Sequence, residues 1–235
     1  MSDLRPTRPT AANASKPECA VLTFDAEHPN RSHQHADVPA AILDLLAERS
    51  IGATFFIQGR WAAAHPGVAK RIATEGHSIG SHSNSHLPMT RLSDDGLVAE
   101  VLQAQDVIHR ITGVDPRPNF RCPYGDGHDD PRVFGTLSRL GYRVVGWDVD
   151  PEDWNAGRSS ADIASHVTSQ LGRDWGFAPT VLLHTWPSTT PEALKHILDR
   201  QRELDATWVG FDDARVRLSP TPMSQKRGPH GANRP

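Results

Sequence analysis

The sequence alternates between short apolar segments typical of buried strands and longer segments with helical spacing. The clearest strand-like segments are residues 20–24, 53–57, 142–149, 180–183 and 207–211, with weaker candidates at 77–80 and 118–121. Between them, Leu97, Val101, Ala104 and Ile108 form an apolar stripe at helical intervals. Strands that alternate with helices form parallel sheets, because each connection crosses back over the sheet. The pattern therefore predicts an α/β fold.

The number of predicted strands favours one small or incomplete (β/α) barrel, with a doubly wound open sheet as the second choice. A chain of 235 residues is long enough for a barrel with a substantial core. No Gly-x-Gly-x-x-Gly follows the first strand, which argues against a dinucleotide-binding fold. We expect a catalytic domain at residues 18–218. Residues 1–17 and 219–235 are rich in proline and small polar residues and predict a flexible arm and a disordered tail.

Charge and hydropathy exclude several classes of partner. The formal net charge is −3, which gives no reason to expect binding to nucleic acid or to an anionic membrane surface. No apolar run is long enough to span a bilayer, and no apolar stretch follows the first basic residues. We therefore expect a cytoplasmic protein with reduced cysteines, although a secreted protein whose signal has been removed would look the same. No feature of the sequence fixes an oligomeric state.

Two histidines, His82 and His86, stand four residues apart among glycine, serine and asparagine. Such a pair can place two imidazoles on one face of a helical turn, the arrangement that a divalent metal needs. The alternative is a polar loop whose histidines face solvent. Histidine is common in this chain, with 13 residues, so the spacing of one pair alone does not identify a metal site.

Ionisable and aromatic residues also follow four other predicted strands. In parallel α/β folds the carboxyl ends of the strands share one edge, where chemistry collects. The segments that would meet there with the histidine pair are residues 25–28, 121–125, 147–154 and 184–186. Five such strand ends on one rim predict an active site.

Five motifs in this order resemble those of the polysaccharide deacetylases, the NodB-like carbohydrate esterases of family four. They read TFDAE, HSNSH, RCPY, WDVDPEDW and LLH, and the resemblance covers residues 19–213. It implies a distorted (β/α) barrel of seven to eight strands. It also implies a metal-dependent hydrolase that removes acetyl groups, mostly from N-acetylglucosamine units, with metal-activated water attacking the acetyl carbonyl.

The resemblance assigns a role to each matching residue. Asp25 would be the general base and His184 the general acid, while His82 and His86 would bind the metal. Arg121 would pair with Asp25, and Asp153 would hydrogen-bond His184. The substrate-binding residues would be Tyr124, through its backbone N–H at the oxyanion, Leu182 and Trp147, around the acetyl methyl, and Trp186, against a sugar face. Trp154 would either join Trp186 at the sugar or lie buried beneath the rim.

The first motif departs from the family, because Ala26 stands where the family has a metal-binding aspartate. Residues two apart in a strand face the same side, so Glu27 could look into the site beside Asp25. We therefore assign Glu27 as the third metal ligand and give His28 less claim. The histidines at positions 33 and 35 indicate a solvated loop rather than a substrate-contacting rim.

These residues suit one divalent metal ion, by default zinc, with cobalt, nickel or iron as alternatives. The expected substrate is an acetylated amino sugar, as an oligosaccharide or polysaccharide. Two alternatives stay open. One is hydrolysis of a small amide or cyclic ureide by the same fold, and the other is a sugar-binding relative without metal.

Overall fold

The computed structural model describes residues 19–29, 37–203, 206–213 and 215–216. The predicted arm, the predicted tail, and the histidines at positions 33 and 35 lie outside these ranges. Within them, no helix is both long and apolar enough to cross a membrane.

Seven strands and seven α-helices alternate along the described residues. The strands are β1 (Cys19–Ala26), β2 (Thr54–Ile57), β3 (Ser78–Ser81), β4 (Asn119–Phe120), β5 (Arg143–Val144), β6 (Thr180–His184) and β7 (Thr207–Trp208). The helices are α1 (Asp37–Glu48), α2 (Gly59–Ala64), α3 (Pro66–Thr74), α4 (Asp94–Thr112), α5 (Pro131–Arg139), α6 (Ser160–Leu171) and α7 (Thr190–Glu203). All seven predicted strands are present, and the α/β prediction is confirmed.

The strands form one parallel sheet in the order β5-β4-β3-β2-β1-β6, with β7 added beside the start of β1. The sheet curves into a barrel. The barrel is incomplete because β5 and β6, at the two ends of the strand order, do not pair with each other as strands. A single parallel bridge between Val149 and Val181 connects the segment after β5 to β6. Residue Asp25 of β1 lies opposite Phe56 of β2 and His184 of β6, so β1 is central to the edge where the strands end.

Side chains alternate between the two faces of the sheet. Leu22, Phe24 and Ala26 of β1 point outward and pack with the buried faces of the helices. The inward face carries Val21, which packs against Phe56 and other apolar residues inside the barrel. Thr23 and Asp25 continue this inward row toward the carboxyl end, where polar groups replace the apolar filling.

The predicted strand at 142–149 was too long, since β5 comprises only Arg143–Val144. The chain leaves the sheet afterwards, and the backbone carbonyl of Gly146 accepts a hydrogen bond from the Arg121 side chain. The predicted strand at 207–211 is likewise shortened to Thr207–Trp208. Apolar composition located both strands but overestimated their lengths.

Substitution of Gly80 on β3 tests how tightly the barrel interior is packed. A Cβ atom at this position would lie 2.7 Å from the Phe56 ring and 3.1 Å from the Asn119 backbone oxygen. We expect Gly80→Ala to lower the free energy of unfolding by about 1–3 kcal/mol, the usual cost of overpacking. Gly52→Ala is the matched control, since nothing lies within 4 Å of its added Cβ. Urea denaturation should separate the two variants, and equal stabilities would contradict this packing.

Candidate active site

The end of β1 brings a buried carboxylate against a buried guanidinium. Arg121, just after β4, donates from Nη1 to Asp25 Oδ1 at 2.8 Å and to Thr23 Oγ1 at 3.0 Å. Its Nη2 donates to the Gly146 carbonyl at 3.0 Å, and the guanidinium carbon lies 4.0 Å from the centre of the Phe56 ring. Because Arg121 is fully buried, these partners replace water around its charge.

The histidine pair is not on a helix, so the expected helical turn was wrong. His82 and His86 lie in an irregular loop after β3, and both Ser83 and His86 adopt positive φ angles of 60° and 61°. The backbone N–H of His86 donates to Ser83 Oγ at 3.0 Å. These conformations turn the second imidazole back toward the first, and the two Nε2 atoms are 3.1 Å apart.

Two helices hold this loop in place. The first N–H groups of α2, from Gly59 and Arg60, donate to the carbonyls of Ser83 and Asn84. From α4, the Glu100 carboxylate accepts the backbone N–H groups of Asn84 at 3.0 Å and Ser85 at 2.8 Å. Sequence reasoning missed Glu100, although a carboxylate one residue before Val101 in the buried stripe of α4 was the signal that could have found it.

Glu27 lies within reach of both loop imidazoles. Its Oε2 is 3.2 Å from His82 Nε2 and in closer contact with His86 Nε2. The Nδ1 of His82 lies 2.8 Å from the Arg121 backbone oxygen, and a carbonyl only accepts, so Nδ1 carries the proton. In neutral His82 a lone pair on Nε2 then faces Glu27, which is how an imidazole is prepared to bind a metal.

This group of atoms fits a divalent metal ion. Ligand bonds of 2.0–2.2 Å in a tetrahedral site place ligand atoms about 3.3 Å apart. This is close to the 3.2 Å between Glu27 Oε2 and His82 Nε2 and to the 3.1 Å between the two histidine Nε2 atoms, while Glu27 and His86 are in closer contact. His28 adds a further candidate, because one ligand atom each from Glu27, His28 and His86 lie within 4.8 Å of one another. The two sets share Glu27 and His86. The set with His82 is preferred because the hydrogen bond from His82 Nδ1 to the Arg121 carbonyl directs Nε2 at the Glu27 oxygen that His86 also contacts.

Protons and a cation would compete for these ligands. Burial raises the pKa of Glu27, but hydrogen bonds from His28 and from the protonated forms of His82 and His86 outweigh it and hold that pKa well below its usual value. Burial lowers the pKa of His86, whereas the carboxylates of Asp25 and Glu27 outweigh burial at His82 and raise its pKa. Metal binding here should therefore weaken as the pH falls and the imidazoles take up protons.

His184 faces this cluster from the end of β6. Its Nδ1 lies 2.7 Å from Asp153 Oδ1, while Asp153 Oδ2 accepts from the His184 backbone N–H and the Thr190 hydroxyl, both at 2.8 Å. The other ring nitrogen lies 4.0 Å from Glu27 Oε1. Burial lowers the pKa of His184, but the charge and hydrogen bond of Asp153 outweigh it and raise the pKa to about 10. His184 is therefore protonated at neutral pH.

The predicted substrate-binding residues surround the same edge. Leu182 is buried and precedes His184 by two residues on β6, and the Trp147 ring centre lies 5.6 Å from the Arg121 guanidinium. The ring of Tyr124 meets His86 edge-on at 4.4 Å, and its backbone has a φ of 58°. The indole of Trp186 donates to Glu27 Oε1 at 3.2 Å, a contact that the sequence did not predict. Trp154 is half-exposed beside this edge.

The family model described as polysaccharide deacetylase matches residues 12–145 of the chain. This chain belongs to the polysaccharide deacetylase family. A "Family 4 carbohydrate esterase from Streptomyces lividans in complex with acetate" superimposes with a TM-score of 0.70 and 26% identity, over 83% of this chain and 93% of that one. The NodB-like barrel prediction is thereby confirmed.

Relatives of this chain include both a deacetylase and a pseudoenzyme. The chain is 34% identical over 180 residues to a peptidoglycan-N-acetylmuramic acid deacetylase of Bacillus subtilis, over 77% of this chain and 35% of that protein. It thus spans about a third of that relative's length. A pseudoenzyme of Bacillus anthracis shares the fold, with a TM-score of 0.71 and 23% identity over 82% of this chain and 63% of that one. Family membership alone therefore does not establish activity, which has to be argued from the site.

The buried ion pair of Asp25 and Arg121 can be tested through stability. Arg121→Met should lower the free energy of unfolding by about 3–5 kcal/mol, because it leaves the Asp25 charge buried without its partner. Adding Asp25→Asn should recover part of this loss, since the double variant buries no uncompensated charge. Urea denaturation of both single variants and the double variant measures the coupling. Strictly additive losses would contradict a buried ion pair.

Proposed function

We propose that this protein is a metal-dependent N-deacetylase of acetylated amino sugars. The observation that carries the proposal is one cluster in which Glu27, His82 and His86 converge beside the Asp25–Arg121 pair. The protonated His184 faces that cluster from β6, with its Nε2 4.0 Å from Glu27. Amide hydrolysis needs an activated water, a stabilised oxyanion and a proton for the departing amine, and the cluster offers a group for each.

Glu27, His82 and His86 are the residues that would hold the metal, with zinc as the default. When bound, a divalent ion of this kind activates water and polarises a carbonyl oxygen. Three protein ligands would leave a position open for water or substrate, as in catalytic zinc sites. His82 is fixed for this task by its hydrogen bond to the Arg121 carbonyl.

Asp25 is the proposed general base. Its Oδ2 lies 3.6 Å from His82 Nε2, so it borders the metal ligands, while Arg121 holds its other oxygen. This arrangement orients one carboxylate oxygen toward the attacking water. As the water attacks the acetyl carbonyl, Asp25 takes its proton, and the backbone N–H of Tyr124 is the proposed donor to the developing oxyanion.

His184 is the proposed general acid. Its Nδ1 is committed to Asp153, so the proton on Nε2 faces the cluster and is available to the amine nitrogen as the C–N bond breaks. Acetate and a free amino sugar are the products. His184 is suited to give a proton because it is protonated and its Nδ1 is held by Asp153. Asp25 is suited to take one because it is a carboxylate held by Arg121.

The proposed substrate class rests on the family and on the rim. The B. subtilis relative is named for its action on N-acetylmuramic acid in peptidoglycan, and sugars stack readily on aromatic faces. Tyr124 and Trp154 present such faces, with 55% and 43% of their surfaces exposed. Trp147 and Leu182 are the proposed walls around the acetyl methyl.

Acetate release tests this function directly. We expect the zinc-loaded protein to release acetate from chitooligosaccharides, peptidoglycan or N-acetylglucosamine. Asp25→Asn should lower the rate about 10²- to 10⁴-fold, because it removes the base but keeps the size of the side chain. Acetylxylan and small amides complete the substrate panel. Release from small amides alone would favour the alternative amidohydrolase, and no hydrolysis despite bound zinc would contradict catalysis.

The pH profile of kcat/KM tests the acid. The protonated form of His184 is active, so activity should be lost as the pH rises through its pKa, which Asp153 raises to about 10. Asp153→Asn removes that charge, and burial then lowers the pKa, so the basic limb should move to lower pH. Zinc content and melting temperature serve as controls. A basic limb that stays in place in a folded, zinc-loaded Asp153→Asn variant would contradict this assignment.

A further inference from the structure

The carboxylate of Glu27 faces two different environments, one at each oxygen. Its Oε2 faces the imidazoles of His82 and His86. Besides the His184 Nε2 atom at 4.0 Å, its Oε1 faces two closer side chains, His28 and Trp186, whose ring nitrogens lie 2.9 Å and 3.2 Å away. Both are potential hydrogen-bond donors, and they approach the oxygen that is turned away from the histidine pair.

Glu27 needs such support because it is longer than the aspartate that the family uses at a neighbouring position. The extra methylene adds a rotatable bond, and fixing it in one rotamer loses conformational entropy. A carboxylate with one oxygen held by donors presents only the other oxygen to a metal. Partners of this kind orient ligands in metal sites generally.

The position of His28 is built into the backbone. Its φ is 56°, in the left-handed region that histidine adopts more readily than most side chains. Its backbone N–H donates to the side chain of Gln58 at 3.0 Å, and Gln58 is itself buried at the end of β2. The chain thus turns sharply after Glu27 and brings the ring back onto the carboxylate of the preceding residue.

Trp186 comes from a different segment of the chain. It follows the end of β6, two residues after His184, and β6 pairs with β1. Its ring lies edge-on to His28, with centroids 6.1 Å apart. Two donors from different segments therefore converge on one oxygen, which makes a chance contact of a surface loop a poor explanation.

A ligand role for His28 fits the function less well than a donor role. A fourth protein ligand would close a tetrahedral site, whereas catalysis needs an open position. The Nε2 atom of His28 lies 2.9 Å from Oε1, the oxygen that faces away from His82 and His86. It is therefore placed to donate to that oxygen rather than to bind an ion held by Oε2.

We propose that His28 is a positioning residue which, with Trp186, clamps Glu27 Oε1 and leaves Oε2 as the single metal-binding oxygen. The inference rests on the proposed metal-dependent function. It explains how this chain can hold a glutamate in one orientation where the family uses an aspartate. His28 acts through Glu27 and needs no contact with substrate.

Zinc affinity tests the clamp without relying on activity. We would measure the zinc dissociation constant of the full chain by competition with a chromophoric chelator for wild type, His28→Ala, His28→Gln, Trp186→Phe and Glu27→Ala. His28→Ala should weaken binding about 10- to 100-fold, as loss of such partners does in other metal sites. His28→Gln should stay nearer to wild type, because its amide can donate from a similar position. Trp186→Phe should weaken binding as well.

A second measurement distinguishes a donor from a ligand. X-ray absorption at the zinc edge should count two imidazole ligands in both wild type and His28→Ala. Loss of one imidazole in that variant would make His28 a ligand and overturn the clamp.

The remaining outcomes separate the clamp from the proposed function. Unchanged affinity in a folded His28→Ala variant, alongside lost affinity in Glu27→Ala, would overturn the clamp and leave the metal centre standing. Unchanged affinity in Glu27→Ala would overturn the metal centre itself, and with it the clamp.

Discussion

The buried guanidinium of Arg121 is the interaction on which the catalytic edge of the barrel depends. It connects three separate parts of the chain, since it donates to Thr23 and Asp25 on β1 and to the carbonyl of Gly146 after β5. Its own backbone carbonyl holds His82. One residue therefore fixes the carboxylate proposed as base and also the tautomer of a proposed metal ligand. A buried cation of this kind is tolerated only where each partner is in place.

Charge balance explains the rest of the site. Asp25 and Glu27 bring two carboxylates into the barrel, and Asp153 adds a third beneath His184. Arg121 and the protonated His184 offset part of this charge. A divalent cation at the proposed site between Glu27, His82 and His86 would complete the balance. The same logic separates the roles, because the carboxylate paired with arginine can accept a proton, while the histidine paired with Asp153 can give one.

Local periodicity was enough to locate all seven strands along the chain, although two of them were predicted too long. Glu27 was predicted as a site residue because strand geometry turns alternate side chains to one face, and its side chain does lie beside Asp25 in the site. The early end of β5 could not be predicted, since it depends on the carbonyl of Gly146 turning toward Arg121. Apolar composition alone carries no information on such a contact.

The conformation of the loop that contains His82 and His86 could not be predicted from the sequence, because it depends on contacts with distant residues. Four-residue spacing suggested a helical turn, but Glu100 and the start of α2 bind the loop backbone and stabilise left-handed residues instead. Glu100 is far away in sequence, so no local pattern relates it to the loop. His28 is a similar case, because its contact with Glu27 follows from a positive φ angle and the distant side chain of Gln58.

The central claim is that Glu27 replaces the family's aspartate as the metal carboxylate. Crystals of the zinc-loaded protein, measured on both sides of the zinc absorption edge, test it most directly. We expect one anomalous peak at about 2.0–2.2 Å from Glu27 Oε2 and from the Nε2 atoms of His82 and His86. A peak bound by the histidines and Asp25, with Glu27 turned away, would contradict it, as would zinc bound only at another place.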